Sequence, residues 1–221
     1  MNRLLKSHSK GAFITFEGCE GGGKSTVLDA LHDSLISEGY LVLKTREPGG
    51  VFLSEKIRAI LLESSKNVLD KKAELLLFLA ARAQHVEELI KPLLNQGYII
   101  LCDRFNDSSV AYQGIARGLG EDLVDTIANF ASSNLQPDCT FLLDIDPRIG
   151  LERTLKLGSF DRIENETLAF HENVRKAYLK LANQSPSRIK ILDASLDKDK
   201  VIEEAHLMLW SVLERIFSKT C

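Results

Sequence analysis

Gly18-Cys19-Glu20-Gly21-Gly22-Gly23-Lys24-Ser25 reads as GxxxxGK[ST], the pattern of a loop that wraps phosphate in backbone N–H groups. Glycines let the chain curl until several N–H groups point inward, and a helix starting at Lys24 adds positive potential at its N-terminus. Lys24 supplies a point charge for the β- and γ-phosphates, and the Ser25 hydroxyl suits Mg²⁺. The expected ATP-contacting stretch is Gly18, Cys19, Glu20, Gly21, Gly22, Gly23, Lys24, Ser25 and Thr26. The motif points to a nucleoside triphosphate but not to its fate, because kinases, switches and motors share it. Glu20 is unusual in such a loop. A carboxylate repels phosphate, so it is expected to face a Mg²⁺ ion, a sugar hydroxyl or an arginine, unless it is solvated. Cys19 fills a free position of the loop and is expected to be incidental.

A second constellation is Asp103-Arg104-Phe105. An Asp at the carboxyl end of a strand can hold Mg²⁺ through water or act as a base toward an attacking oxygen. Arg104 beside it offers a fork that matches phosphate. Ser108, Ser109, Ala111, Tyr112 and Gln113 follow with hydroxyl, aromatic and amide groups that can read a base and a sugar. Phe78 and Arg82, four apart, share a helix face. They could place a ring on a base and a cation under its phosphate, or be core and surface residues. Arg46-Glu47-Pro48-Gly49-Gly50 is either a plain turn or part of an acceptor pocket.

These residues need a scaffold that gathers their loops. Short apolar runs at 12–17, 41–45, 98–103, 139–144 and 189–192 read as doubly buried parallel strands. Helix-type stretches at 24–38, 53–63, 71–95, 123–133, 147–157, 164–183 and 201–217 separate them. The alternation predicts right-handed crossovers and a three-layer α/β domain with its site at the carboxyl edge of the sheet. The loops at 18–23, 46–50 and 158–162 are the expected functional ones. The last helix is predicted to pack, with no chemistry.

A chain of 221 residues, 44% hydrophobic and 27% charged, fits a single domain over 1–221. A net charge of −3 argues against nucleic acid as partner. No apolar run approaches the roughly 18 residues of a membrane span, so no membrane partner is expected. The start is polar and basic, and the apolar run at 12–16 is too short for a secretion signal. Cys19, Cys102, Cys139 and Cys221 lack CxxC spacing, which predicts free thiols in a cytoplasmic setting.

FEGCEGGGKST (16–26), TREPGG (45–50), LFLAAR (77–82), DRFNDSSVAYQG (103–114), LDIDP (143–147) and DRIE (161–164) together resemble the bacterial-type thymidylate kinase family, in the family's order. The resemblance implies a P-loop nucleoside monophosphate kinase fold with a five-stranded parallel sheet, usually a homodimer. It implies conversion of ATP and dTMP to ADP and dTDP, a step in dTTP supply. By motif, Arg82 and Arg104 look like ligands of the acceptor phosphate, and Phe78 like the ring that stacks on thymine. Ser109, Tyr112 and Gln113 fall on the base- and sugar-reading stretch, with Tyr112 where a 2′-hydroxyl would find no room. Glu20 falls at the acid facing the acceptor sugar, Asp103 at the Mg²⁺-associated acid, and Arg46 at the acceptor pocket. The metal set is thus Ser25 and Asp103.

The lid, about 153–163, departs from the family. Family members without an arginine in the phosphate loop draw several arginines from the lid. Here Gly22 and Gly23 precede Lys24, and Leu155 and Leu157 stand where more cations are expected. Arg153, Lys156 and Arg162 remain, with Arg153 and then Arg162 expected to be catalytic beside Lys24, Arg104 and Asp103. The implied mechanism is in-line attack by an acceptor phosphate oxygen that is already anionic, under a lid that closes and excludes water. Positioning and charge neutralisation then carry the rate. Rival readings are another monophosphate or deoxynucleoside kinase, a nucleotide switch, for which no [NT]KxD motif follows the loop, and a nucleic-acid ATPase.

Overall fold

The computed structural model describes residues 10–63, 69–156, 158 and 161–218. Lid positions 157, 159 and 160, the basic start before residue 10, and Cys221 lie outside them.

Five strands, β1 (Ala12–Glu17), β2 (Val42–Arg46), β3 (Ile99–Asp103), β4 (Cys139–Asp144) and β5 (Ile189–Asp193), form one parallel sheet in the order β2-β3-β1-β4-β5. The register determines the site. Phe16 pairs with Asp103, and Asp103 with Arg46, so the carboxyl ends of β1, β2 and β3 finish side by side. Everything that follows those strands is delivered to one edge, as expected of such sheets.

Side-chain alternation along β1 divides the core. Ala12, Ile14 and Phe16 face α1 (Lys24–Ser37), and the last helix, Lys198–Phe217, completes this face. Phe16 meets Phe141 at 5.5 Å between ring centroids. Phe13 faces the opposite layer and packs edge-on against Phe105 at 4.9 Å. Thr15 is buried on that second face and shares a 2.7 Å hydrogen bond with Thr140. Glu17, last on this face, is also buried. The second layer comprises α2 (Phe52–Leu62), α3 (Lys71–His85), which runs through a π-helical turn at Val86–Ile90 into α4 (Lys91–Asn95), α5 (Asn106–Ser109) with a π-helical segment at Val110–Ala116, and α6 (Glu121–Ala131). The chain continues through α7 (Pro147–Leu155), α8 (Leu168–Gln184) and α9 (Lys198–Phe217).

Several expectations shift. The edge strands β2 and β5 are only partly covered, so doubly buried strands are confined to the centre. α8 begins at Leu168 rather than 164, because the Asp161 side chain takes the amides of Ile163 and Glu164 and closes a turn there. Thr167 then caps the helix on Phe170. α9 begins at Lys198, three residues early, because Asp197 caps Asp199. α6 ends at Ala131, and Ser133 and Asn134 turn left-handed beyond it.

Candidate active site

A cleft of about 610 Å³ runs along the carboxyl edge of the sheet. Glu20 to Thr26 form its floor, Arg153 and the segment from Ala194 to Val201 one end, and Phe78, Arg82, Ser109, Tyr112 and Gln113 the other. Most of the expected site residues therefore share one cavity.

The phosphate loop bends as its glycines allow: Gly18, Gly21 and Gly23 have φ of 131°, 68° and 83°. Lys24 lies along it, Nζ donating to the carbonyls of Gly18 at 3.1 Å and Cys19 at 3.0 Å. Ser25 Oγ lies 3.4 Å from Asp103 Oδ2. Among the described residues, the other oxygen, Asp103 Oδ1, is buried without a hydrogen-bond partner. A hydroxyl and an unspent carboxylate oxygen side by side fit a small hard cation. Cys19 points away from the cleft into the core beside α8. Burial, then Glu20, pushes its thiol up to about 12.

Glu20 faces an arginine and a phenol. Arg104 Nη2 donates to both of its oxygens, at 2.8 and 2.7 Å, and Tyr112 Oη donates to Oε1 at 2.8 Å. Burial pushes the Glu20 carboxyl up, but Arg104, Lys24 and these hydrogen bonds outweigh it and bring it down to about 2. Burial alone would lower Arg104; Glu20 and its other neighbours instead raise it well above the usual arginine value. Arg104 lies over the Tyr112 ring at 5.1 Å and has a left-handed backbone, φ 71°.

Arg82, by motif a ligand of the acceptor phosphate, is not a surface cation. It is 2% exposed, with Nε on Glu47 at 2.6 Å, Nη1 on Ser109 at 2.8 Å and Nη2 on the Phe105 carbonyl at 3.0 Å. Three of its five N–H groups are thus engaged. Glu47 also meets His85; burial raises its carboxyl, but Arg82 and His85 prevail and lower it. Gln113 is tied by its amide nitrogen to buried Glu74 at 2.8 Å. Arg46 sits half-exposed at the rim, paired with Glu55.

The two lid arginines part company. Arg153 lines the cleft, its Nη1 3.1 Å from the Ala194 carbonyl and 3.4 Å from that of Gly21. Arg162 is directed instead to Glu74 at 2.7 Å and to the Leu61 carbonyl at 2.9 Å. It pairs with neither Asp161 nor Glu164, its sequence neighbours. Lys156 is exposed.

Sequence reasoning missed several contributors. Arg58 and Lys198 line the cleft as further cations. Gly150 of α7 touches the phosphate loop so closely that a Cβ on it would lie 2.2 Å from the Glu20 carbonyl oxygen. The signal for Gly150 was a glycine inside a helix-type stretch, where it costs about 1 kcal/mol against alanine. Arg58 and Lys198 carried no signal beyond their charge.

Residues 16–205 match the family described as thymidylate kinase. The chain is 50% identical over 204 residues to a thymidylate kinase of Protochlamydia amoebophila (strain UWE25), covering 89% of this chain and 91% of that protein. It is 46% identical over 207 residues to a thymidylate kinase of Bacillus licheniformis, covering 92% and 97%. It is 48% identical over 199 residues to one of Pelobacter propionicus, covering 87% and 91%.

Proposed function

The chain belongs to the thymidylate kinase family, and on that premise we propose that ATP and dTMP lie end to end in the cleft while a phosphoryl group passes from one to the other. The observation that carries this reading is the Arg104 guanidinium. It is held by Glu20 of the phosphate loop and lies between the Lys24 cradle and the end of the cleft lined by Phe78, Tyr112 and Gln113.

ATP takes the phosphate-loop end, with its base toward Ala194, Leu196 and Lys198. Lys24 exchanges its loop carbonyls for the β- and γ-phosphates. dTMP takes the other end, with Phe78 against the base and Arg104 on the phosphate. Arg82, through its two remaining N–H groups, and Ser109 and Gln113 frame the acceptor. Tyr112, fixed by Glu20, closes the space beside the sugar. An acceptor phosphate oxygen attacks the γ-phosphorus, the new P–O bond forms as the bond to the β-phosphate oxygen breaks, and ADP and dTDP result, a step toward dTTP. Arg153 stands where charge develops during transfer, whereas Arg162 braces the Glu74 side. Ser25 and Asp103 would hold Mg²⁺, which when bound neutralises charge on the phosphates.

Exposed apolar side chains on three neighbouring helices, Phe52, Ile60, Leu76, Leu123 and Phe130, support a homodimer through α2, α3 and α6. Light scattering that returns a monomer mass would refute it. Among the described residues no helix is long and apolar enough to cross a membrane. Cys19, Cys102 and Cys139 are buried free thiols, which suits the reducing cytoplasm.

Coupled ADP release at fixed ATP and Mg²⁺, with dTMP, dUMP, CMP and thymidine compared, tests the substrate. Highest turnover with dTMP is expected; equal turnover with CMP contradicts the reading.

A further inference from the structure

We propose that Glu17 is the positioning residue for Arg104, one buried carboxylate that fixes both the backbone turn and the guanidinium of the acceptor-phosphate ligand. The inference rests on the assignment of Arg104 made above.

Glu17 ends β1, is fully buried, and lies beneath the cleft rather than in its wall. Its Oε1 accepts the Phe105 N–H at 2.7 Å. Its Oε2 accepts the Ser108 hydroxyl at 2.6 Å and the Tyr178 hydroxyl at 2.8 Å. Those two hydroxyl oxygens, 2.8 Å apart, in turn accept from Arg104 Nη1, at 3.4 and 3.2 Å, beside the Gly18 carbonyl at 3.1 Å.

Two consequences follow. Arg104 has φ 71°, a conformation that L side chains disfavour and that must be held from both sides. Its own N–H donates to the Phe16 carbonyl at 2.9 Å, and the next N–H is held by Glu17. The second consequence concerns proton direction. An ionised carboxylate only accepts and Arg104 only donates, so the two hydroxyls send their protons toward Glu17, directly or one through the other, and keep lone pairs toward Arg104. A glutamine at this position would keep the shape but donate through its amide. One hydroxyl proton would then be turned onto the N–H groups of Arg104, opposing donor to donor.

The groups facing Glu17 are Asp107 and Ser108 on α5, Arg104, Tyr178 on α8, Arg188 before β5 and Cys102 on β3. Burial and then Asp107 push its carboxyl up to about 7, against Arg104 and the two hydroxyls. Protonation therefore produces the same donor conflict as glutamine does, and it does so as pH falls through that value.

The test compares Glu17→Gln, Tyr178→Phe and Arg104→Ala in the full chain by steady-state kinetics from about pH 6 to about pH 8.5, bracketing the carboxyl. Glu17→Gln is expected to raise KM for dTMP about tenfold at the high end, the scale of one hydrogen bond to a charged group, with KM for ATP nearly unchanged. The two enzymes should converge at the low end, where substrate ionisation affects both alike. Tyr178→Phe should raise KM for dTMP by about two- to threefold, since one of the three acceptors of Arg104 Nη1 is lost. The proposal is overturned if Glu17→Gln leaves KM for dTMP unchanged, or raises both KM values equally without convergence at low pH. If that variant does not fold, an unchanged KM for dTMP in Tyr178→Phe overturns it instead. Arg104→Ala separates the two layers: no effect there sinks the site assignment, whereas an effect there with none in Glu17→Gln sinks only the positioning role.

Discussion

Glu17 and Glu20 both press on Arg104, one from below the phosphate loop and one from within it, yet their carboxyls move in opposite directions. Glu20 receives one guanidinium nitrogen on both oxygens and a phenol, has Lys24 3.9 Å away, and falls to about 2. Glu17 receives a backbone amide and two hydroxyls, has Asp107 as an electrostatic neighbour, and rises to about 7. Burial pushes both the same way. Arg104 lowers both; the difference is that Lys24 and two direct Arg104 hydrogen bonds add to it at Glu20, whereas the charge of Asp107 opposes it at Glu17. One acid is a permanent counter-ion that holds Arg104 beside the phosphate loop; the other is a framework acceptor that titrates near neutrality.

Lys24→Ala should disturb this pair most, because it removes both a phosphate ligand and a cation that helps keep Glu20 ionised. Turnover is expected to fall by at least roughly 10²–10³-fold while the thermal melt still reports a folded protein. Retained turnover would contradict the cradle. Arg104→Ala removes the partner the two acids share. KM for dTMP should rise about 10²-fold with little change in KM for ATP. The Glu20 carboxyl should move upward in an NMR titration of labelled glutamate, and equal effects on both substrates would contradict the assignment.

The acids should also leave opposite marks on stability. The Glu20 contribution is present above its ordinary value of 4.5 and is lost as pH falls toward about 2. That of Glu17 is full below 4.5 and is lost as pH rises through about 7. Tm measured against pH should therefore show a flatter acid limb in Glu20→Gln and a smaller decline between 4.5 and 7 in Glu17→Gln. The same slopes in both variants and the parent would remove the contrast. Arg46→Ala, which breaks a rim pair exposed by 50% and 41%, should change stability by less than about 1 kcal/mol in a denaturant melt. A larger loss would mean that exposure does not separate the rim from the buried pairs.

The strands were legible because central parallel strands are apolar throughout, and their ends were placed within about two residues. Ser108, Ser109, Ala111, Tyr112 and Gln113 read as residues that suit a base and a sugar, but the bounds of α5 and the π-helical segment that carry them, Asn106 to Ala116, were not legible. The buried side chains of this stretch include Asn106, Asp107, Ser108, Ser109 and Gln113, so it carries no apolar period to read. π-Helical turns often accompany functional sites, and here one carries Tyr112 and Gln113. The Phe78–Arg82 spacing was visible, but Glu47, 35 residues away, was not. Arg162 and Glu74, 88 apart, escaped for the same reason. Glu17 looked like the last residue of a strand, and only the folded chain shows what converges on it.

Gly21 and Gly150 meet backbone to backbone: a Cβ on Gly21 would lie 2.0 Å from the Gly150 carbonyl oxygen, and one on Gly150 2.2 Å from that of Glu20. Arg153 stands one turn further along the helix that carries Gly150. The spacing between the nucleotide-gripping loop and that arginine is therefore gauged by main chain against main chain, with no rotamer available to take up slack. Neither partner can gain even a methyl group without levering the cation away from the grip, so this seam sets a tolerance for the machine that side-chain repacking cannot restore.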